Sequence, residues 1–289
     1  MGNNLSVVIP VLNEEKAIGK VIDEINGVLS QQHGLEYEII VVDDGSTDKT
    51  TEIIGQKNIR IIKHDYTRGY GYSLKSGIKN ANYEDIVVID GDGTYSAKDI
   101  PKLLNYINDF DMIVGSRSRK RFSPFSLRLA VKWFLRRLAI YLSETNISDL
   151  NSGLRLIKKT IVNNFFTILP SGFSFTTTIT LAMATRDYKI KYVPIEYHSR
   201  KHAKSKFHPI KDTFNMIILI LQIIVYYNPL KIFVPLSIFL LISGIVVFIV
   251  SIVTTGKIMD TTVALLLLSA LQMLTLGLIT NLINKRKEI

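Results

Sequence analysis

Two long stretches without a charged residue lie near the C-terminus, and they limit the possible folds more than any other feature. Residues 232–254 and 261–283 are each 23 residues long and mostly apolar. As a helix rising about 1.5 Å per residue, each would be about 34 Å long, which is enough to cross a bilayer. Only residues 255–260 separate them. We therefore predict a transmembrane helical hairpin rather than two buried helices of a soluble core.

Basic residues flank this predicted hairpin on both outer sides, and its connecting loop contains only Lys257. The flanking residues are Lys201, Lys204, Lys206, Lys211 and Lys231 before it, and Lys285, Arg286 and Lys287 after it. By the positive-inside rule, the preceding domain and the C-terminus are predicted to be cytoplasmic. The apolar residues 213–227 are too few for a typical span. They predict an interfacial or re-entrant helix, with a short third span as the less favoured alternative.

The first part of the chain alternates short apolar runs with helical patterns. The predicted strands are 5–10, 37–45, 58–64, 86–90 and 111–116, and the predicted helices are 14–31, 48–57, 69–81 and 97–108. Strands that alternate with helices form mostly parallel sheets covered on both faces. The fold class is therefore α/β, with a Rossmann-like, mostly parallel sheet.

Polar and glycine residues follow several of these strands directly. They are Asn13, Glu14, Asp43, Asp44, Arg68, Gly69, Asp90, Asp92 and Arg117. Ligands of such sheets bind at the carboxyl ends of the strands. Neither a Walker phosphate loop nor G-x-G-x-x-G follows the first strand, so we expect a nucleotide to be held in another way.

Among these strand ends, the turn D-G-D-G, residues 90–93, gives the most specific sequence signal. Asp90 and Asp92 are separated only by Gly91, and two carboxylates so close need a positive partner. Hard oxygen ligands suit Mg²⁺ or Mn²⁺, with water and a diphosphate completing the coordination. An ordinary acidic turn is the alternative interpretation of this segment taken alone.

The net charge of the chain limits the classes of binding partner to expect. The chain carries 35 Lys and Arg against 25 Asp and Glu, a net charge of +10, and no cysteine. This balance suits nucleic acid, an anionic membrane or phosphorylated substrates. Residues 119–141 mix basic with large apolar residues and predict an amphipathic helix on a bilayer surface. Nucleic acid is disfavoured, because the basic residues cluster beside the membrane segments. The five histidines are expected to be ordinary surface or loop residues.

Four ordered motifs resemble the family 2 glycosyltransferases of the A-type fold. They are VVIPVLNEE (7–15), EIIVVDDGSTD (38–48), VVIDGDGTY (87–95) and DMIVGSR (111–117). SDLNSGLRL (148–156) and YHSRKHAKSKFHP (197–209) further resemble the polyprenyl- and dolichyl-phosphate glycosyltransferases, such as dolichyl-phosphate mannose synthase. The resemblance covers roughly residues 5–210.

This resemblance implies roles on the donor side. Pro10, Asn13, Glu14 and Gly91 would line the nucleotide-sugar pocket, and Asp44, with Asp43 beside it, would contact the base or ribose. A capped turn before a helix, with Ser46 as N-cap, is the alternative for these two aspartates. Asp90 would bind the nucleotide or the metal, and Asp92 the metal. Relatives often have Gln as a further ligand two residues later, where this chain has Thr94.

It also implies roles on the acceptor side. Arg117, Arg128, Arg200 and Lys206 match positions that handle phosphate, and arginine forks suit phosphate oxygens. Asp149 matches an acid near the reacting centre. It would act as a base or orient Arg155, or else only cap a turn. Asp92, Asp149, Arg117 and Arg200 are therefore the candidate catalytic residues.

The resulting hypothesis is a metal-dependent, inverting transferase at the membrane. It would move a sugar from UDP-N-acetylglucosamine, UDP-glucose or GDP-mannose to dolichyl or undecaprenyl phosphate. Two alternatives are a transferase that extends a lipid-linked or growing saccharide and a membrane-tethered nucleotide-sugar sensor without turnover. The predicted domains are 1–211, an interfacial helix at 212–230 and the anchor at 231–289. The oligomeric state stays open, a homo-oligomer included.

Overall fold

The computed structural model describes residues 4–117, 140, 147–172, 174–186, 188–198, 218, 221–222, 225–256 and 260–286. The chain divides into two compact units, Met1–Met216 and Ile217–Ile289. The predicted amphipathic helix at 119–141, apart from residue 140, lies outside the described residues, as does most of 212–227. The predicted domain boundaries therefore stay predictions.

A seven-stranded sheet forms the centre of the described part of the first unit. Its strands are β1 (Asn4–Val11), β2 (Glu36–Asp43), β3 (Arg60–Lys63), β4 (Asp85–Val88), β5 (Met112–Arg117), β6 (Arg155–Lys158) and β7 (Ile190–Ile195). They are ordered β3-β2-β1-β4-β6-β5-β7. Strand β6 runs antiparallel to both neighbours, and the other pairings are parallel. The predicted mostly parallel α/β sheet is confirmed.

Helices connect these strands. They are α1 (Ile18–Leu29), α2 (Thr50–Gly55), α3 (Tyr70–Asn80), α4 (Ile100–Leu104), α5 (Lys159–Asn164) and α6 (Phe175–Ala184). Helix α1 buries Ile18, Val21, Ile22, Ile25 and Leu29, the apolar positions whose spacing predicted it. The predicted helix 97–108 is shorter than expected. It is a 3-10 turn at Ala97–Asp99 followed by α4, which ends at Leu104.

The described part of the second unit contains two long helices, α7 (Leu230–Thr255) and α8 (Asp260–Arg286). Both are long and apolar enough to cross a membrane by length and composition. Most of their apolar side chains face outward, and Val253, for example, is 78% exposed. A pair of buried core helices would hide these side chains, so the predicted apolar hairpin is confirmed in preference to that alternative.

Close approach of the two helices holds the hairpin together. A Cβ on Gly277 would lie 2.7 Å from Cβ of Phe233, so only glycine allows this distance. The Ser237 hydroxyl donates a hydrogen bond of 2.8 Å to the carbonyl oxygen of Ala270. Small residues and interhelical hydrogen bonds stabilise helix pairs in lipid, where the hydrophobic effect contributes little.

Candidate active site

The loop after β1 is joined to the loop after β2 by reciprocal hydrogen bonds. The Asn13 side-chain oxygen accepts from the N–H of Thr47 at 2.8 Å, and the Asn13 N–H donates to the Ser46 hydroxyl at 3.0 Å. Asn13 has a φ of 56°, a left-handed conformation that few non-glycine residues adopt as readily as Asn. Asn13 is exposed and Glu14 is half-buried in the loop after β1. Pro10 is buried within β1.

Asp43 ends β2, Asp44 follows it, and both are buried. The Asp43 carboxylate accepts from the Ser46 N–H at 2.9 Å and from the Thr51 hydroxyl at 2.5 Å, so it closes the turn. Because α2 begins at Thr50, the alternative expectation that Ser46 is its N-cap is wrong. The turn interpretation of Asp43 itself agrees with the structure.

Asp44 is bonded to the segment after β3. Its carboxylate accepts from the N–H of Arg68 at 3.0 Å and from that of Gly69 at 2.8 Å. It also lies 2.8 Å from Nδ1 of His64. Burial alone would raise the pKa of Asp44, but these hydrogen bonds outweigh burial and lower it. Asp44 therefore stabilises the turn at Arg68 and Gly69.

His64 lies in the loop after β3, as expected, but it is buried rather than at the surface. This side chain is 8% exposed, and its Nε2 lies 3.0 Å from the Ser76 hydroxyl. Its sequence neighbourhood gave no sign of burial, because the partners Asp44 and Ser76 are 20 and 12 residues away.

The acidic turn follows β4 directly. Asp90 and Asp92 are both half-buried, and Gly91 between them is buried against Val11, where a Cβ would lie 2.5 Å from Cγ1. Thr94 donates to Oδ1 of Asp92 from its N–H at 3.0 Å and from its hydroxyl at 2.6 Å. Thr94 therefore orients Asp92.

The electrostatics of this turn suit a divalent cation. Burial and the charge of Asp92 raise the pKa of Asp90 to about 6, although Tyr70, Arg155 and Arg117 oppose this shift. Bound positive charge would relieve the repulsion. The described residues contain no group of three or more His, Cys, Asp or Glu placed to hold a metal. Two carboxylates with hard oxygens still fit Mg²⁺ or Mn²⁺, since such ions commonly take one or two carboxylates and substrate phosphates.

Two residues that the sequence did not single out contact Asp90. The Tyr70 hydroxyl donates to Oδ1 of Asp90 at 2.8 Å. A Cβ on Gly153 would lie 2.1 Å from Oδ2, so the carboxylate packs directly on the Gly153 backbone. Tyr70 and Gly153 lie 20 and 63 positions from Asp90, and only the fold brings them together.

Arg117, at the end of β5, forms a two-pronged ion pair with Asp149. Its Nε lies 2.7 Å from Oδ2 and its Nη2 lies 2.8 Å from Oδ1. Burial alone would raise the pKa of Asp149, but Arg117 outweighs burial and lowers it. The expectation that Asp149 orients Arg155 is wrong. Buried Arg155 donates instead to the carbonyl oxygens of Ser152 and Thr176.

An antiparallel bridge between Tyr95 and Tyr197 brings the last described segment of the first unit to the acidic turn. The His198 N–H donates to the Thr94 carbonyl oxygen at 2.9 Å, and the Arg117 guanidinium lies 5.2 Å from the Tyr197 ring centroid. Arg200 follows two positions later. Arg200, Lys206 and Arg128 lie outside the described residues, so their predicted phosphate contacts stay predictions.

Comparison with protein families identifies both parts of the chain. Residues 6–166 match "Glycosyl transferase family 2", and residues 228–285 match "GtrB C-terminal hairpin". A low-salt glycan biosynthesis hexosyltransferase of Haloferax volcanii is 30% identical over 68% of this chain, which spans 48% of that relative's length. The dolichyl-phosphate hexose transferase of the same organism is 31% identical over 68% of this chain and 84% of its own length.

A third relative and a solved structure extend the comparison. Dodecaprenyl-phosphate galacturonate synthase of Rhizobium johnstonii is 26% identical over 77% of this chain and 67% of its own length. Glucosyl-3-phosphoglycerate synthase of Mycobacterium tuberculosis, solved with Mn²⁺, uridine diphosphate and phosphoglyceric acid, superposes with a TM-score of 0.60. It is 21% identical, covering 77% of this chain and 79% of that one. This last likeness concerns the fold alone.

Proposed function

Because the chain belongs to glycosyl transferase family 2, we propose that it transfers one hexose from a nucleoside diphosphate sugar to a polyprenyl phosphate. The relatives named for dolichyl-phosphate and dodecaprenyl-phosphate products support this acceptor class. Dolichyl and undecaprenyl phosphate are both candidate acceptors. UDP-N-acetylglucosamine, UDP-glucose and GDP-mannose are the candidate donors.

One observation carries the proposal: an acidic turn and a fixed arginine lie within electrostatic range of each other. The positive charge of Arg117 opposes the rise in the pKa of Asp90 that burial and Asp92 cause. Asp149 holds the Arg117 guanidinium in a defined orientation. A site with two carboxylates beside an arginine suits a cation-bound diphosphate next to a second phosphate group.

The residues of the site divide the work of the transfer. Asn13, Glu14, Asp43 and Asp44 form the nucleotide end, while Asp90 and Asp92 would hold Mg²⁺ or Mn²⁺. A bound divalent ion neutralises the charge that develops on the departing nucleoside diphosphate. Arg117, with Arg128, Arg200 and Lys206, would bind the acceptor phosphate.

This acceptor relaxes the need for a general base. A monophosphate has its second pKa near ~6 and is mostly dianionic at neutral pH, so its oxygen is already a nucleophile. The lowered pKa of Asp149 makes it a poor proton acceptor and a good partner for Arg117. We therefore propose a single displacement with inversion, in which Asp149 positions Arg117.

The apolar hairpin would place this chemistry at a membrane. Helices α7 and α8 would span the bilayer, with the catalytic unit and the C-terminus on the cytoplasmic side. The chain has no cysteine, so the variants Lys257→Cys and Lys287→Cys each carry a single label site. Membrane-impermeant maleimide should reach Lys257→Cys from outside and Lys287→Cys from the cytoplasmic side. The reverse pattern would contradict the orientation.

Release of nucleoside diphosphate with different acceptors tests the function. We expect release with a polyprenyl phosphate, and none with the matching polyprenol, which lacks the phosphate. The second candidate, transfer to a lipid-linked saccharide, predicts release with a polyprenyl-diphosphate saccharide instead. A sensor without turnover predicts no release with any acceptor.

A further inference from the structure

Asp90 is restrained on both of its carboxylate oxygens. The Tyr70 hydroxyl donates to Oδ1 at 2.8 Å, and the Gly153 backbone packs against Oδ2. A side chain held on two sides has little freedom to rotate, so the residue that supplies the hydrogen bond sets the direction of the carboxylate. Tyr70 supplies it from the first turn of α3.

The position of Tyr70 is itself fixed from the other end of the site. It follows Arg68 and Gly69, whose N–H groups donate to the two oxygens of Asp44 at 3.0 and 2.8 Å. Gly69 has a φ of 102°, and a Cβ there would lie 2.6 Å from the Ser171 carbonyl oxygen. The backbone before Tyr70 is therefore held by two hydrogen bonds and packs closely against Ser171.

We propose that Tyr70 is a positioning residue of the donor site, which holds Asp90 in the orientation that binds a divalent cation, and that Asp44 fixes Tyr70 through the turn at Arg68 and Gly69. This inference rests on the proposed function, because it assumes that Asp90 and Asp92 hold a cation. Contacts from Asp44 to Gly69 and from Tyr70 to Asp90 thereby link the nucleotide end of the site to its metal end.

The chemistry of tyrosine suits this role. The Tyr70 hydroxyl has one proton to share, and it donates a hydrogen bond to Oδ1 of Asp90 at 2.8 Å. A neutral donor orients a carboxylate without neutralising it, and the other lone pairs stay available to a cation. Phenylalanine keeps the ring and its packing but lacks the donor, so Tyr70→Phe isolates the hydrogen bond.

The test is a titration of the full-length protein with Mn²⁺ in the presence of uridine diphosphate, repeated with guanosine diphosphate. The electron paramagnetic resonance signal of free Mn²⁺ reports binding without turnover. Tyr72→Phe is the matched control. It removes a hydroxyl two residues away that donates to no side chain within the described part of the chain.

We expect Tyr70→Phe to weaken Mn²⁺ binding about tenfold or more, as loss of an outer partner of a metal ligand usually does. The Mn²⁺ affinity of Tyr72→Phe should stay within about twofold of wild type, well below the effect of losing an outer partner of a metal ligand. In turnover assays Tyr70→Phe should raise the Mn²⁺ concentration for half activation more than it lowers kcat. Equal Mn²⁺ affinity in Tyr70→Phe and wild type, or an equal loss in Tyr72→Phe, would overturn the inference.

These outcomes are separate from those that test the function. Weaker Mn²⁺ binding by Tyr70→Phe, without any transfer to polyprenyl phosphate by wild type, would refute the proposed function and support the role of Tyr70. Transfer to polyprenyl phosphate by wild type, with unchanged Mn²⁺ binding by Tyr70→Phe, would refute only the role of Tyr70.

Discussion

Asp92 and Asp90 leave the same turn but have different surroundings. The Asp92 carboxylate accepts from the neighbouring Thr94, whereas Asp90 contacts Tyr70 and Gly153 from distant parts of the chain. The two candidate ligands are therefore oriented by different parts of the fold.

Asp92→Asn should abolish transfer and leave the fold intact, because a ligand charge is lost beside the diphosphate while the Thr94 hydrogen bonds can persist. Steady-state transfer and thermal unfolding measure the two effects. Asp109→Asn is the control. Asp109 is exposed and precedes the amino end of β5, whereas the acidic turn lies after the carboxyl end of β4. Full activity of Asp92→Asn in EDTA would refute the metal assignment.

Gly153→Ala should misplace Asp90, because the added Cβ would lie 2.1 Å from Oδ2. A displacement of about 1 Å at a reacting site can cost about 100-fold in rate, and overpacking costs about 1–3 kcal/mol of stability. Gly27→Ala is the control. A Cβ at Gly27 in α1 meets nothing within 4 Å, and alanine should stabilise that helix. A fully active Gly153→Ala would show that Asp90 tolerates movement.

The sequence predicted the acidic turn and the strand-end residues of the site, but not the contacts that orient them. Asp90 and Asp92 stand out because two acids are separated by glycine after an apolar run. Tyr70, Gly153 and His64 carry no such signal, because tyrosine, glycine and histidine occur in many settings. Their roles follow from contacts between positions 12 or more residues apart.

Strand β5 and the loop before β6 are joined by Arg117 and Asp149. This pair lies where neighbouring strands change direction, since β6 runs antiparallel to both β4 and β5. At the scale of elements, the pair ties the loop before β6 to the end of β5 and also presents the arginine.

The pH dependence of stability should reveal this pair. The folded pKa of Asp149 lies below its unfolded value of about 3.9, so its contribution is present above that pH and is lost as pH falls through the folded pKa. The Tm difference between wild type and Asp149→Asn should be constant from about pH 8 to 5 and shrink below about pH 4. Asp23→Asn, which breaks the exposed pair with Lys57, should change Tm little. A pH-independent difference for Asp149→Asn would contradict the ion pair.

The elements up to β5 could be predicted because strands and helices alternate there with clear periodicity. The sequence pattern does not predict the elements between residues 155 and 195. Strand β6 has only four residues, begins with a buried arginine, and joins the sheet between β4 and β5, out of chain order. Helix α6 is rich in threonine and is buried along its whole length, so it lacks the amphipathic pattern that reveals a surface helix.

The whole chain combines a catalytic unit with an apolar hairpin, and the hydrophobic core of the described residues lies in the first of the two units. Candidate ligands of the nucleotide and the metal all precede residue 118. A variant that ends at Asp212 should therefore still bind nucleotide and Mn²⁺. It should use a long-chain polyprenyl phosphate poorly and a short, water-soluble prenyl phosphate comparatively well. Kinetics with both acceptors, in detergent and in lipid vesicles, measure this. Equal relative loss on both acceptors would show that the hairpin supports the fold rather than delivering the lipid.

The central claim is that one hexose is joined to a polyprenyl phosphate, and the mass of the lipid product tests it most directly. Purified protein is incubated with Mn²⁺, a polyprenyl phosphate, a polyprenyl-diphosphate saccharide and each of a panel of UDP- and GDP-sugars. We expect one donor to increase the mass of the polyprenyl phosphate by a single glycosyl residue, and Asp92→Asn to prevent this increase. Extension of the saccharide lipid while the polyprenyl phosphate keeps its mass would contradict it.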